Sequence, residues 1–436
     1  MRKIKALAAM VMAIALTLSL AGCAAQTGTQ TETQKVITLW EEGKERNKIV
    51  VISDLHLGIK DEYTETLAHR PLLVEFLQRL QGMKDVRELV IAGDFLDAWY
   101  LPVYYPSYTD ETKFYKDVIA NNQEVINELN NITNSGIKLV YVIGNHDLTL
   151  EADVLQEAIP KIEQVSDTKG LGLYYTGDRQ EIVIEHGHRY DVFSAPDTLT
   201  NKELCGNDET ILPAGYIYAR YAATWVLEKY PKVEKDLPVV KNEPEKTDTD
   251  QNDAYAYYNV LNNISNKITP NEGLDEEIFD LHIAGFDDTY TYLDFFPCEQ
   301  EDGTISAPVL FRNIQRTWDE RQELNNVRVP VNFKEAVYGA LDPQFFAKQA
   351  VKQHIENPDK NIEIVVFGHT HAPEVKDLGN GQYYANSGTW VDPKPSEAKD
   401  LCTFVVITTG AQDEVELYKY EKSGAVVDLC CDPTEK

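Results

Sequence analysis

Short aliphatic runs alternate with amphipathic stretches through the first part of the chain. Ile49-Val50-Val51-Ile52 is apolar at every position and too short for a helix, which predicts a buried strand. Leu72, Leu73, Phe76, Leu77 and Leu80 recur at helical spacing and stop before Gly82, predicting a helix. Leu89-Val90-Ile91-Ala92 is the next strand. Val118, Ile119, Val125, Ile126, Leu129 and Ile132 then predict one long helix that ends before Gly136. Further strands are expected at Leu139-Val140-Tyr141-Val142-Ile143 and Ile182-Val183-Ile184. Late in the chain others fall at residues 362–367, 383–385, 403–407 and 415–418. Alternating strands and helices followed by a strand-rich end argue for a layered α/β fold.

The alternation lapses between residues 194 and 339. That stretch contains an aromatic-rich helical pattern at 216–230 and a polar run at 241–253. It reads as a mainly helical or irregular insertion, or cap, between two parts of one core, 47–193 and 340–436. No internal repeat is present. Such an insertion leaves one predicted strand end and returns near another, and is expected to cover any crevice those strand ends form. There it would select which substrate enters and contribute little to any chemical step, with Tyr216, Tyr218, Tyr221 and Trp225 available to a ring-containing group or to the insertion's own core.

The N-terminus has a different character. Arg2, Lys3 and Lys5 precede an apolar run from Ala6 to Ala21, the pattern of a secretory signal and short for a spanning helix. Leu20-Ala21-Gly22-Cys23 resembles the bacterial lipobox, in which the cysteine takes lipid and becomes the mature N-terminus. Residues 1–22 are therefore expected to be a lipoprotein signal peptide, and 23–46 a lipid-anchored flexible tether of low complexity. The expected location is extracytoplasmic, on the membrane surface. Five cysteines remain after Cys23, an odd number without zinc-finger spacing.

Formal charge at pH 7 is −30, and loss of the basic leader makes the remainder more acidic still. Extended nucleic acid is disfavoured as a partner by long-range repulsion. A small phosphate ester can still bind where metal cations supply local positive charge. Oligomeric state is not legible.

Polar residues of metal-ligating type cluster where predicted strands end: Asp54-Leu55-His56, Gly93-Asp94-Phe95-Leu96-Asp97, Gly144-Asn145-His146-Asp147, Glu185-His186-Gly187-His188 and Gly368-His369-Thr370-His371. Six of the nine histidines lie in these five segments. Side chains at the carboxyl ends of strands in an α/β sheet converge on one crevice. In Asp54-Leu55-His56 and His369-Thr370-His371, residues two apart in extended chain point to one side, so each pair presents two donors together. Mixed carboxylate, imidazole and amide donors suit Mn, Fe, Zn or Co better than Ca or Mg.

Taken in order, D-x-H, G-D-x-x-D, G-N-H-D, H and G-H-x-H form the signature of the calcineurin-like metallophosphoesterases, which this chain resembles from about Ile49 to His371 outside the insertion. The resemblance implies a four-layer αββα sandwich with two divalent metal ions at the strand ends. It implies that one ion is held by Asp54, His56, Asp94 and His371, and the other by Asp94, Asn145, His186 and His369. His146 matches the residue that contacts the phosphoryl oxygen and assists the leaving group, with Asp147 as its expected orienter. Asp97 and His188 match no firm ligand role. The implied activity is hydrolysis of a phosphomonoester, phosphodiester or pyrophosphate. A non-catalytic binding module on the same fold is the alternative, against which the full set of ligand types speaks. Asp97 is followed by Ala98-Trp99, unlike the Arg-Gly of serine/threonine protein phosphatases.

Overall fold

The computed structural model describes residues 39–206, 211–393 and 400–430. The expected signal segment, Cys23 and most of the expected tether lie outside them. The last part of that tether is joined to the core: Trp40 Nε1 donates to Asp85 at 3.0 Å, and Arg46 Nε donates to the Val86 carbonyl at 2.8 Å. Among the described residues Cys205, Cys298, Cys402 and Cys430 are free thiols.

The first half runs β1 (Lys48–Ile52), α1 (Arg70–Leu80), β2 (Val86–Ala92), α2 (Glu111–Asn121), α3 (Gln123–Asn134), β3 (Lys138–Val142), α4 (Ala152–Ala158), β4 (Glu163–Val165), β5 (Tyr174–Thr176) and β6 (Ile182–Ile184). Between the fourth and fifth motifs come α5 (Lys202–Cys205), α6 (Ala214–Leu227), α7 (Thr249–Ser265) and two small hairpins. The hairpins are β7 (Phe279–Leu281) with β8 (Asp288–Tyr290), and β9 (Cys298–Glu299) with β10 (Ile305–Ser306). Helices α8 (Ile314–Leu324), α9 (Phe333–Gly339) and α10 (Pro343–Ala350) lead back to β11 (Ile364–Phe367), β12 (Glu374–Gly379) and β13 (Gln382–Asn386). Strands β14 (Thr403–Thr408), β15 (Glu414–Tyr420) and β16 (Val426–Asp428) close the chain.

Two sheets result, a seven-stranded one in the order β16-β15-β14-β1-β2-β3-β4 and a five-stranded one in the order β12-β13-β11-β6-β5. They pack face to face. Ile49, Val51, Val90, Ala92, Val140 and Val142 of the first sheet share one buried cluster with Ile182, Ile184, Ile364, Val366 and Ala385 of the second. Their alternate neighbours, Val50, Ile52, Leu89, Ile91 and Leu139, face the opposite way into the cluster that holds Leu73, Phe76 and Leu77 of α1 and Val125, Leu129 and Ile132 of α3. Behind the second sheet, Val365, Phe367 and Tyr384 join Phe345, Phe346 and Ala350 of α10. Both faces of each central strand are thus covered, which is why these strands are continuous apolar runs. The architecture is a four-layer αββα sandwich with an added, mainly helical segment.

One expected element divides. The single helix read across 118–132 is two, α2 and α3, separated at Asn122. The Asn122 side chain is fully buried; its Nδ2 donates to the carbonyls of Gly58 at 2.9 Å and Val118 at 2.8 Å, and its Oδ1 accepts from Arg70 at 3.0 Å. A side chain that satisfies backbone groups in place of the helix ladder breaks the helix there. The last residues of the polar run at 241–253 begin α7, capped by Asp248, whose side chain accepts from Gln251 N.

Candidate metal centre

Strands β1, β2 and β3 are parallel and in register, Val51 opposite Val90 and Val90 opposite Val140, so the first three motifs emerge side by side. β6 and β11 are parallel neighbours in the other sheet, Ile184 opposite Val366, which brings the fourth and fifth motifs together. The backbone then turns sharply at the donors themselves. Asp54, His56, Asp94, His369 and His371 all have positive φ, from 44° to 67°. Each such position costs on the order of 1–3 kcal/mol and persists only when the surroundings fix it. Here Leu55 N and His56 N both donate to the Asp94 carbonyl, and Thr389 Oγ1 and Trp390 N both donate to the Asp54 carbonyl. Two glycines permit the crowding. A Cβ on Gly93 would stand 2.2 Å from His186 Nδ1, and one on Gly144 would stand 2.2 Å from Asp94 Oδ1.

Two donor groups meet at Asp94. In the first, His371 Nε2 lies 3.2 Å from Asp54 Oδ1 and 3.1 Å from His56 Nε2. Asp94 Oδ2 is 3.7 Å from His56 Nε2. In the second, His186 Nε2 lies 3.2 Å from the same Asp94 oxygen and 3.0 Å from Asn145 Oδ1. The ring nitrogens facing away are held: His56 Nδ1 by Asp97 Oδ2 at 2.7 Å, and His186 Nδ1 by the Ala92 carbonyl at 2.8 Å. Such contacts fix the tautomer and aim the Nε2 lone pair inward. Two imidazole nitrogens 3.1 Å apart beside buried carboxylates need a proton or a cation between them, so the donor set fits divalent ions of the Mn, Fe, Zn or Co type.

The electrostatics agree. Burial opposes a charge on His56, yet the hydrogen bond to Asp97 and the nearby carboxylates raise its pKa to about 10. His186 is likewise disfavoured by burial but raised to about 9, chiefly by Asp94 and Asp54. Asp54 and Asp94, although burial works against their ionisation, are held below the ordinary range by the surrounding imidazoles. The cluster therefore gathers protons where no cation is bound, and a cation displaces them.

His369 stands slightly apart. Its amide donates to Asp54, its ring centroid is 5.1 Å from that of His186, and its Nε2 is paired with Asp191 Oδ2 at 3.1 Å. That pairing leaves Nδ1 as the nitrogen for an ion. Asp191 was not expected. Nothing in its local sequence marks it, except its place five residues after His186.

His146 is held differently from expectation. Its Nδ1 pairs with Asp97 Oδ1 at 2.9 Å and its ring stacks on Trp99 at 4.7 Å. Asp147, expected as the orienter of His146, instead accepts from the backbone amides of Gly144 at 2.8 Å, Phe95 at 2.7 Å and Leu96 at 3.2 Å. Burial and the Asp94 charge push its pKa up to about 6. Its part is to pin the second and third motif loops together, and the orienting carboxylate is Asp97. His188, buried with Nε2 on the Gly170 carbonyl at 2.9 Å, has a structural place. The residue just before His186 is also fixed: Glu185 is bound by Arg189 Nε, Tyr190 OH and His354 Nε2, each at 2.7 Å.

The insertion aromatics are mostly interior. Tyr216, Tyr221 and Trp225 are buried, and Tyr221 stacks on Tyr292 at 4.0 Å. Tyr221 and Trp225 pack within the insertion itself, Trp225 meeting Tyr230, whereas Tyr216 faces the loop that follows the second motif. Trp99 is 2% exposed and lies against the face of the His146 ring.

Among solved structures, the chain is similar to a dimetal phosphatase from Danio rerio, at 11% identity over 88% of this chain and 99% of that one, with a TM-score of 0.33. It is similar also to a protein from Thermus thermophilus, at 11% identity over 86% and 98%, with a TM-score of 0.29. No curated protein matches the sequence. Residues 47–214, which carry Asp54, His56, Asp94, Asn145, His146 and His186, match the calcineurin-like phosphoesterase family.

Proposed function

We propose that the protein is a hydrolase of phosphoester bonds that uses two divalent metal ions and works on the outer side of a membrane, anchored through lipid on Cys23. The observation that carries the chemistry is the placement of Asp94 Oδ2 between two imidazole-bearing donor groups, with His146 beside them. Asp54, His56, Asp94 and His371 would hold one ion; Asp94, Asn145, His186 and His369 would hold the other. When bound, such a pair of cations acidifies water and neutralises phosphoryl oxygens. Asp97 spans His56 and His146, so one carboxylate orients a ligand and the acid beside it.

With its Nδ1 occupied by Asp97, His146 offers Nε2 to the substrate. Burial disfavours its charge, but Asp97 and Asp94 raise its pKa above the ordinary value, which suits a proton donor. As the oxygen of water bonds to phosphorus, the bond to the leaving oxygen breaks and that oxygen takes up the proton of His146 Nε2; the proton lost by the water passes to solvent, from which His146 is reprotonated.

Anchoring is supported by the basic leader, the apolar run and Leu20-Ala21-Gly22-Cys23. Among the described residues no helix is long and apolar enough to cross a membrane. The test of function is hydrolysis of nitrophenyl mono- and diesters with added Mn. Metal-dependent turnover abolished by a chelator supports the reading. Stoichiometric metal binding without turnover of any mono-, di- or pyrophosphate ester would sink it and leave a binding module.

A further inference from the structure

Helix α6 lies in the segment between the fourth and fifth motifs, yet it is built onto the loop that follows Asp97. Arg220 is fully buried, and its Nη2 donates to the carbonyls of Pro102 at 2.9 Å, Val103 at 3.3 Å and Tyr105, while Nη1 donates to the Tyr216 hydroxyl at 3.2 Å. A guanidinium keeps its charge inside a protein, so a buried one is tolerated only where acceptors surround it. Thr224 completes the clasp: its Oγ1 accepts from Val103 N at 2.8 Å and donates to the Arg220 carbonyl at 2.8 Å. Residues 102–105 are thereby tied to one face of α6.

The start of the same helix meets Trp99. A Cβ on Gly215 would stand 3.1 Å from Trp99 Cζ3 and 2.6 Å from the Phe193 carbonyl oxygen. The Tyr216 ring meets the indole edge-on at 6.1 Å. The indole also stacks on His146, with rings inclined by 28°. Trp99 N binds Asp97 Oδ1 at 2.7 Å, the oxygen that also holds His146 Nδ1. An imidazole fixed by one carboxylate contact can still pivot about it, and a ring packed on its face removes that freedom.

We infer that α6 positions His146 for the leaving-group step through Trp99: Gly215 and Tyr216 set the plane of the indole, and Arg220 and Thr224 hold the loop that follows it. This inference rests on the role of His146 proposed above. It differs from the expectation that the insertion governs only substrate choice. Trp99, Tyr216 and Arg220 are positioning residues, since none is placed against the reacting atoms.

The test compares phenyl phosphate, whose leaving group needs a proton, with nitrophenyl phosphate, whose leaving group needs it less. In metal-loaded full-length Tyr216→Leu and Arg220→Met variants, kcat for phenyl phosphate should fall about tenfold, a part of the roughly 10²–10⁴ that a positioned acid supplies, while nitrophenyl phosphate falls far less and both KM values hold. Should Arg220→Met not fold, Thr224→Val loosens the same clasp more gently. Equal losses for both esters, or a rise in KM alone, would overturn the inference. A second readout is independent of turnover. The indole ring current displaces the His146 ring resonances in the parent protein; Trp99→Leu should abolish the displacement and Tyr216→Leu should reduce it. Unmoved resonances in Tyr216→Leu overturn the positioning role. Resonances that move as expected in a protein that hydrolyses no mono-, di- or pyrophosphate ester uphold the positioning and defeat the phosphoesterase reading instead.

Discussion

Asp97 Oδ1 pairs with His146 Nδ1 at 2.9 Å, while the other oxygen of the same carboxylate pairs with His56 Nδ1 at 2.7 Å. One buried anion thus fixes the tautomers of a candidate ligand and a candidate acid together. Replacing it by an amide keeps the shape and loses one of the two acceptors. Asp97→Asn should lower kcat by about 10–100-fold and weaken metal binding at the His56 group. Steady-state kinetics with metal analysis check this; a variant with parental kcat and metal affinity would show that Asp97 orients neither ring.

Asp94 and His146 should separate by readout. Asp94→Asn removes the anion between the two donor groups, so bound metal and activity should both fall. His146→Ala should keep its metal and lose turnover by about 10²–10⁴, the range for a positioned proton donor. Loss of metal from the His146 variant would place that ring among the ligands.

Asp191 holds His369 from outside the cluster at 3.1 Å. Asp191→Asn should weaken one of two metal-binding events by about 10–100-fold and leave the other near parental. Calorimetric titration of the metal-free protein distinguishes this from a uniform loss, which would mean general loosening.

Away from the centre, Glu111 in the first turn of α2 shares a cleft with Glu151 and Thr149. Burial, then the Glu151 charge, pushes its pKa from an ordinary 4.5 up to about 7. Below pH 4.5 the carboxyl is neutral in both folded and unfolded chains. As pH rises from there to about 7, the unfolded chain releases the proton that the folded chain keeps, so stability is lost across that window. Glu111→Gln should match the parent in thermal stability near about pH 4 and exceed it at about pH 8. Equal melting temperatures at both values would count against the shift.

For the anchor, Cys23→Ser should transfer the protein from the membrane fraction to the soluble fraction. Retention in high salt without detergent would remove the lipid reading.

The sequence by itself determined the strands that carry the five motifs, because a strand covered on both faces must be apolar at every position, as Ile49 to Ile52 are. It determined which candidate donors stand at the strand ends as well: Asp54, His56, Asp94, Asn145, His186, His369 and His371 follow those strands directly, and parallel register brings such strand ends together. Tertiary structure alone decided which carboxylate serves which histidine. Asp147 adjoins His146 in sequence, but its side chain turns to the amides of Phe95 and Leu96, and Asp97, 49 residues away, takes the ring. Asn122 ends α2 because Gly58 and Arg70 reach it, and in α6 Tyr221 is interior because Phe279 and Tyr292 meet it while Tyr216 meets Trp99. Local spacing specifies which groups a strand end presents; contacts between segments distant in sequence specify how each group is turned, and those contacts leave no periodic trace in the chain.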